Sequence, residues 1–420
     1  MILYLNNFKG FNETFIPLEK VNFLVGENST GKSTVLSVLE MMSKTSFWTS
    51  PQLSSGEYHL GPFNEIVNQL SNDRSFFQIG AEFKAYNTLD PKGQQTLFRI
   101  LETFKEQDGN IVLSSIKFLL GNDTFFCSWL NDDKIALSRR SSSYPSFSKW
   151  VYSERPIRQK EIANTPLYRM WIPSLMKVVS DTYKPDGDSI YQLFSPSELT
   201  GMTVMSPIRA EAHRIYESFS QSYSPQGVHI PVVLNKIMHS KSDANKSIVN
   251  RLYTFGRNSN LFDSIATQRF GNAADSPFTI TVQYGDVKVN LTNVGYGVTQ
   301  SLPLVVEVLK SAGVPFSIQQ PEVHLHPKAQ AAFGELVYES ALNNRNTFFC
   351  ETHSDFIINR FRYATNKSGK YVKSQVLFFT RDEKGTHVVP IPIDENGHYI
   401  NVPDEYMRFF IDEELRMLEF

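Results

Sequence analysis

Val21-Asn22-Phe23-Leu24-Val25 runs straight into Gly26-Glu27-Asn28-Ser29-Thr30-Gly31-Lys32-Ser33-Thr34. The first five residues are a β-like apolar run. The stretch from Gly26 to Ser33 spells G-x-x-x-x-G-K-S, the phosphate-loop pattern. Beyond it Val35, Val38, Leu39 and Met42 recur at i, i+3, i+4 and i+7, which predicts a helix. Strand, glycine loop and helix thus follow in the order such a loop needs. Gly26 and Gly31 let the backbone curl so that N–H groups along Glu27, Asn28, Ser29 and Thr30 point at phosphates. The helix start at Lys32, Ser33 and Thr34 adds a favourable dipole for an anion. Lys32 places a cation on the β- and γ-phosphates, and Ser33 offers its hydroxyl to Mg²⁺. Nucleotide binding is the function this stretch predicts.

The rest of the composition narrows the class without naming the chemistry. The chain has 420 residues, 41% of them hydrophobic, and a formal net charge of -2. That excludes wholesale disorder and a globally basic nucleic-acid binder, though not a local basic patch. Two cysteines, Cys127 and Cys350, exclude a disulfide scaffold and a four-cysteine zinc site. No apolar run approaches the roughly 18 residues that span a bilayer. The start, Met1 to Lys9, lacks the basic region of a signal peptide. A soluble, cytoplasmic protein without a membrane partner is expected.

Composition divides the chain at about residues 84, 200 and 360. Segment 1–84 carries the phosphate loop. Segment 85–200 holds short β-like runs at Ile111–Leu113, Phe125–Cys127 and Ile135–Leu137, a serine-rich break at 141–146, and a helical pattern over about 159–193. Segment 201–360 returns to strand and helix alternation, and 361–420 is a tail ending in an amphipathic stretch, Phe409, Phe410, Leu415 and Leu418. This stretch reads equally as a packed helix or an oligomer contact.

Three further stretches complete a site. Leu291-Thr292-Asn293-Val294-Gly295-Tyr296-Gly297-Val298-Thr299-Gln300 opens a helical stripe of Val298, Leu302, Val305, Val306 and Leu309. Its glycines at a helix start are a second candidate anion nest, or a structural turn. Next, an apolar strand from Val314 ends in Gln319-Gln320-Pro321-Glu322-Val323-His324-Leu325-His326-Pro327. The run Thr347-Phe348-Phe349-Cys350 then ends in Glu351-Thr352-His353-Ser354-Asp355. Carboxyl ends of neighbouring strands are where an open α/β sheet builds its site.

This order of motifs resembles the ABC-type ATPase heads of the SMC, double-strand-break repair and overcoming-lysogenization-defect group, over about residues 1–84 and 200–360. Ser206-Pro207-Ile208-Arg209-Ala210 fits the same relatives. The Gln-Gln-Pro-Glu variant and the chain length look most like the ATPase subunits of Septu-type anti-phage defence, also found as retron-associated effectors. The resemblance implies an α/β fold, an ABC-type P-loop NTPase head with a mixed β-sheet and a helical/β insertion. It implies ATP with Mg²⁺ as cofactor, and Gly26 to Thr34 as the Walker A loop. It makes Gly295, Gly297, Thr299 and Gln300 the signature motif that contacts the γ-phosphate of ATP held by a second subunit. Gln319 and Gln320 fall where the Walker B aspartate, a metal holder, and the catalytic glutamate usually sit. Leu325 to Pro327 matches the D-loop, and His353 the switch histidine.

The departures carry chemistry of their own. Gln319 is neutral and binds a hard dication less well than aspartate. Gln320 cannot serve as a general base at neutral pH, although a glutamine can still position water. Glu322 stands two residues on as a substitute, or as a structural residue. Gly295 replaces the signature serine. Weak or tightly regulated turnover is the expectation.

Other residues divide between sharp and bland readings. His324 and His326 have a chelating spacing but no evident third ligand, so a D-loop role is the better default. Arg209 suits nucleotide, partner, DNA or a salt bridge. Lys236, His239, Lys241, Lys246 and Arg251 form a basic patch for DNA or a solvated helix face. The resemblance implies a head-to-head dimer or higher homo-oligomer that controls a partner HNH endonuclease. Nuclease relatives carry a Toprim domain; the tail has no E-G-x-x-D and is too short for one, so cleavage is expected in a separate chain. A stand-alone SMC-like DNA-binding repair ATPase is the alternative, and it predicts a heptad coiled coil that segment 85–200 does not show. A transporter ATPase fits the motif spacing least.

Overall fold

A computed structural model describes residues 1–49, 53, 60–86, 95–130, 134–163, 172–183, 199–217, 219, 222–273 and 275–417. The chain forms two compact units, one of Met1–Leu18, Glu27–Gly201 and Phe379–Pro390, the other of Glu19–Gly26, Met202–Phe378 and Ile391–Phe420. The division at residue 84 drawn from composition passes through the strand Phe77–Tyr86, and the one at 360 through the helix Asp355–Ser368.

The first unit is built on an antiparallel sheet. Among the described residues it has eight strands, in the order Thr14–Pro17, Ile2–Asn6, Phe77–Tyr86, Gln95–Gln107, Asn110–Leu120, Asp123–Trp129, Lys134–Ser141 and Lys160–Ala163. The β-like runs read from the sequence are the middles of much longer strands. Arg99, Glu102 and Lys117 are buried within them, which breaks the simple alternation of apolar and polar residues. Arg99 is neutralised by Glu82 on the next strand at 2.7 Å. Lys117 donates to the carbonyls of Val151 and Ser153, each at 3.1 Å, and lies over the Trp150 ring. The helical reading of 159–193 is corrected at its start. Lys160–Ala163 is a strand, paired antiparallel with Lys134–Leu137, and the helix is Ile172–Tyr183. Residues 184–193 lie outside the described residues.

A second sheet has six strands, most of them in the second unit. Its order is Thr203–Met205, Pro315–Gln319, Thr347–Glu351, Val21–Gly26, Ser374–Asp382 and Gly385–Ile393. The first four are successively parallel, and the last two form a hairpin, so the sheet is mixed. Parallel strands buried on both faces read as continuous apolar runs, and Val21–Gly26 is buried throughout. Helices Tyr296–Lys310 and Pro327–Asn343 pack in the same core as Phe23, Phe316 and Phe348. A three-stranded sheet, Ser264–Arg269, Phe278–Tyr284 and Val287–Asn290, precedes the Gly295 turn. Phe409 and Phe410 pack against this core, so the C-terminal stripe is a docked helix at those positions; Leu418 lies outside the described residues. The α/β fold with mixed sheets and a P-loop is the one the sequence implied. Among the described residues no helix is long and apolar enough to cross a membrane.

Candidate nucleotide-binding site

The phosphate loop has the conformation its glycines predict. Gly26 has φ 146, Ser29 φ 63 and Gly31 φ 96, all in the left-handed half of backbone space. Gly31 N-caps the helix Lys32–Ser43. A Cβ on Gly31 would lie 2.6 Å from the Phe11 ring, so glycine is required there by space as well as by φ. The Thr30 hydroxyl donates to the Glu27 carbonyl at 2.8 Å and the Lys32 ammonium to the same oxygen at 2.6 Å. Glu27, Asn28, Ser29 and Ser33 are exposed, and Thr34 is half-buried. The loop therefore presents exposed residues Glu27 to Ser29, one buried lysine and the exposed Ser33 at a helix N-terminus.

The strand ends beside Val21–Gly26 bring the distal residues together within the second unit. Gln319 pairs in register with Glu351, and Glu351 with Leu24. The Gln320 N–H donates to the Glu351 carbonyl at 2.8 Å, and Gln320 takes a left-handed φ of 44. Such a conformation costs a non-glycine residue roughly 1–3 kcal/mol, and it turns the chain sharply after the strand. Gln319 and Gln320 are both half-buried. Glu351 is a buried carboxylate beside Gln319 that the motif reading passed over.

Glu322 does not stand open as a replacement base. Its Oε1 accepts the His353 N–H at 2.7 Å and its Oε2 accepts the Thr352 hydroxyl at 2.8 Å. Burial raises its pKa above the ordinary carboxylate range, opposed by the His353 amide, the Thr352 hydroxyl and the Arg209 charge. Both of its carboxylate oxygens are thus engaged, one by the backbone of His353 and one by the side chain of Thr352. The Ser354 N–H donates back to Thr352 Oγ1 at 3.0 Å, and the Ser354 hydroxyl donates to Gln330 Oε1 at 2.6 Å.

The signature segment divides its residues. Gly295 is exposed, N-caps the helix Tyr296–Lys310 at φ -65, and has open space where a Cβ would stand. A Cβ on Gly297 would lie 3.1 Å from the His324 carbonyl, and the His324 ring packs on Tyr296 at 5.5 Å. The Thr299 hydroxyl donates to the Tyr296 carbonyl at 3.1 Å. Gln300, expected among the nucleotide contacts, is instead buried; its amide is used on the backbone of Arg209. This helix is apolar nearly all round, so position 300 faces protein.

His326 N-caps the helix Pro327–Asn343, accepting the Ala329 N–H. No group of three His, Cys, Asp or Glu residues suited to a metal occurs among the described residues. In the basic stretch, Lys246 pairs with Asp243 at 2.9 Å, His239 bonds the Asn235 carbonyl, and Arg251 donates to Asn344.

A sequence profile of the AAA ATPase domain matches residues 1–179 and 206–358, which is most of the chain. The chain belongs to the AAA ATPase domain family. ATP is the nucleotide of that family, and the Gly26–Ser33 loop lies within the matched residues. Solved structures similar to it include an SMC head bound to the C-winged helix domain of ScpA, at 12% identity over 94% of this chain and 98% of that one, with a TM-score of 0.41. The SMC head domain from Thermotoga maritima matches at 12% identity over 93% and 98%, with a TM-score of 0.37. The recombination mediator protein RecF matches at 8% identity over 92% and 97%, with a TM-score of 0.34. No curated protein matches the chain.

Proposed function

We propose that this AAA ATPase is an ABC-type nucleotide-binding clamp with weak or regulated hydrolysis, whose ATP-dependent head-to-head pairing controls a partner HNH endonuclease in anti-phage defence. The carrying observation is the contrast between a complete phosphate loop and a strand end that carries Gln319 and Gln320 in place of two carboxylates. The loop supplies binding. The amides lower the chance of proton removal from an attacking water, because neither can accept a proton at neutral pH. Gln320 is left to orient water and Gln319 to offer a neutral oxygen.

The residues fit a Mg²⁺ that arrives with the nucleotide. Ser33 is exposed at the helix start, and Gln319 gives an amide oxygen; Mg²⁺ commonly takes most of its remaining ligands from phosphates and water. The ion neutralises phosphate charge when bound. Lys32 and the loop N–H groups hold the β- and γ-phosphates, and His353 stands on the switch segment that Glu322 fixes.

Pairing of two copies is supported by the exposed Gly295 and the 67% exposed Tyr296 on the signature segment. ATP favours the closed pair only by its differential affinity for that state. The endonuclease partner rests on the resemblance of the Gln-Gln-Pro-Glu stretch. Against the stand-alone SMC-like reading, the described part of 85–163 is antiparallel sheet with one short helix. Co-purification with the product of an adjacent HNH gene, strengthened by ATP and weakened by Lys32→Ala, is the expected result. ATP-insensitive behaviour with DNA-stimulated turnover and no nuclease partner would favour the repair reading.

A further inference from the structure

A cavity of about 130 Å³ opens beside the signature helix, with every lining residue in the second unit. Tyr216, Ile230, Leu291, Leu302 and Pro303 supply apolar walls, and Thr299 lies among them. Backbone hydrogen bonds hold the loops that line it. The Ala210 N–H donates to the Gln226 carbonyl at 2.8 Å, and the Ile230 N–H to the Gly227 carbonyl at 3.0 Å. Gly227 takes φ 80, and a Cβ there would lie 2.6 Å from the Pro303 Cβ, so this turn closes directly on the proline. An apolar cavity of about 150 Å³ holds one benzene molecule. The size here therefore suits a single six-membered ring.

The walls also carry two unused hydrogen-bonding groups. Pro303 stands inside the helix Tyr296–Lys310 and has no N–H. The carbonyl it would otherwise bond, four residues back, belongs to Thr299 and is left as a free acceptor in the helix. The Thr299 hydroxyl is spent on the Tyr296 carbonyl at 3.1 Å. On the facing loop, the Tyr216 oxygen accepts the His213 N–H at 2.9 Å, and among the described residues its own proton meets no acceptor. Burial raises the pKa of this phenol, so it stays a neutral donor. Groups of this kind in a largely apolar pocket fix a ligand's orientation.

We propose that this cavity binds a single-ring lactam, a flat six-membered ring with an N–H beside a C=O. The ring fills the apolar space, its N–H donates to the Thr299 carbonyl and its C=O accepts the Tyr216 hydroxyl. Thr299 lies in the signature segment, so a ligand held there braces the first turn of that helix. A consequence for ATP-dependent pairing rests on the paired-head reading; the binding site does not.

Ligand-observed NMR titration of the nucleotide-free full-length chain with α-pyridone and with benzene tests the site. The wild type is expected to bind α-pyridone about tenfold more tightly than benzene, the worth of one good hydrogen bond. Pro303→Ala gives the Thr299 carbonyl an intrahelical partner, so it should lose that preference while still taking benzene. Ala212→Leu fills the cavity from its lining and should lose both rings. Should Pro303→Ala fail to fold, Tyr216→Phe decides, and about a tenfold loss for α-pyridone with benzene unchanged is required. Binding of neither ring by the wild type, a preference that survives Pro303→Ala, or binding that survives Ala212→Leu would overturn the proposal. So would an α-pyridone affinity that falls as protein concentration rises, since a second copy would then occupy the cavity. ATP-dependent dimerisation is measured alongside, with and without α-pyridone. Failure of the wild type to pair sinks the paired-head reading and leaves the ring titrations to judge the cavity.

Discussion

Two stretches of this chain meet a nucleotide's chemistry in opposite ways. At Gly26–Ser33 every feature needed to hold phosphates is kept: left-handed glycines, a helix start, a buried lysine and an exposed hydroxyl. At Gln319–Gln320 a strand and a sharp turn are present, with two neutral amides at the strand end. Backbone geometry has therefore been retained at both places, and charge at only one. Binding needs the first. On the proposed reading hydrolysis depends on the second, so the two functions are expected to be separable.

The largest expected effect comes from the loop that kept everything. Lys32→Ala removes a charge-assisted contact to phosphate and should weaken ATP binding by about 100-fold. Titration with a fluorescent ATP analogue checks it, and an unchanged affinity would move the site elsewhere. Restoring the lost charge should act in the other direction. Gln320→Glu is expected to raise phosphate release by about 100-fold, a typical contribution of a placed general base, with affinity little altered. No gain would mean that the strand end is disabled by something other than its amides.

A smaller contrast separates the two glycine segments. Gly31→Ala forces a side chain into φ 96 and onto Phe11, and should destabilise the loop by about 2 kcal/mol and weaken ATP accordingly. Gly295→Ala meets open space at an ordinary φ, so thermal unfolding should not shift; only ATP-dependent pairing is expected to respond. The smallest effect belongs to His326. Loss of its N-cap in His326→Ala should cost about 1 kcal/mol in urea unfolding and leave the response to divalent metals unchanged. A metal-dependent stability in the wild type that this variant abolishes would revive the chelating reading.

The sequence made these two regions unequally legible. The phosphate loop is local, so eight residues and their flanks carry the strand, the turn and the helix. The antiparallel sheet is legible only in fragments, because buried Arg99, Glu102 and Lys117 break its alternation; Arg99 is paired with Glu82 on the next strand, and Lys117 with the carbonyls of Val151 and Ser153. Lys160–Ala163 is made of good helix formers, yet it takes its conformation from pairing with Lys134–Leu137. Gln300 was read as a ligand contact since its motif neighbours are. Its partner is the backbone of Arg209, a contact that no spacing rule encodes. Glu322 was legible as a carboxylate in the right place, but its engagement by Thr352 and His353 was not.

Multiple-turnover phosphate release by the purified wild-type chain, alongside its ATP affinity, tests the central claim most directly. Saturable, Lys32-dependent ATP binding with turnover far below about 1 per second is the predicted result. Turnover at or above about 1 per second, without partner or Gln320→Glu, would contradict it.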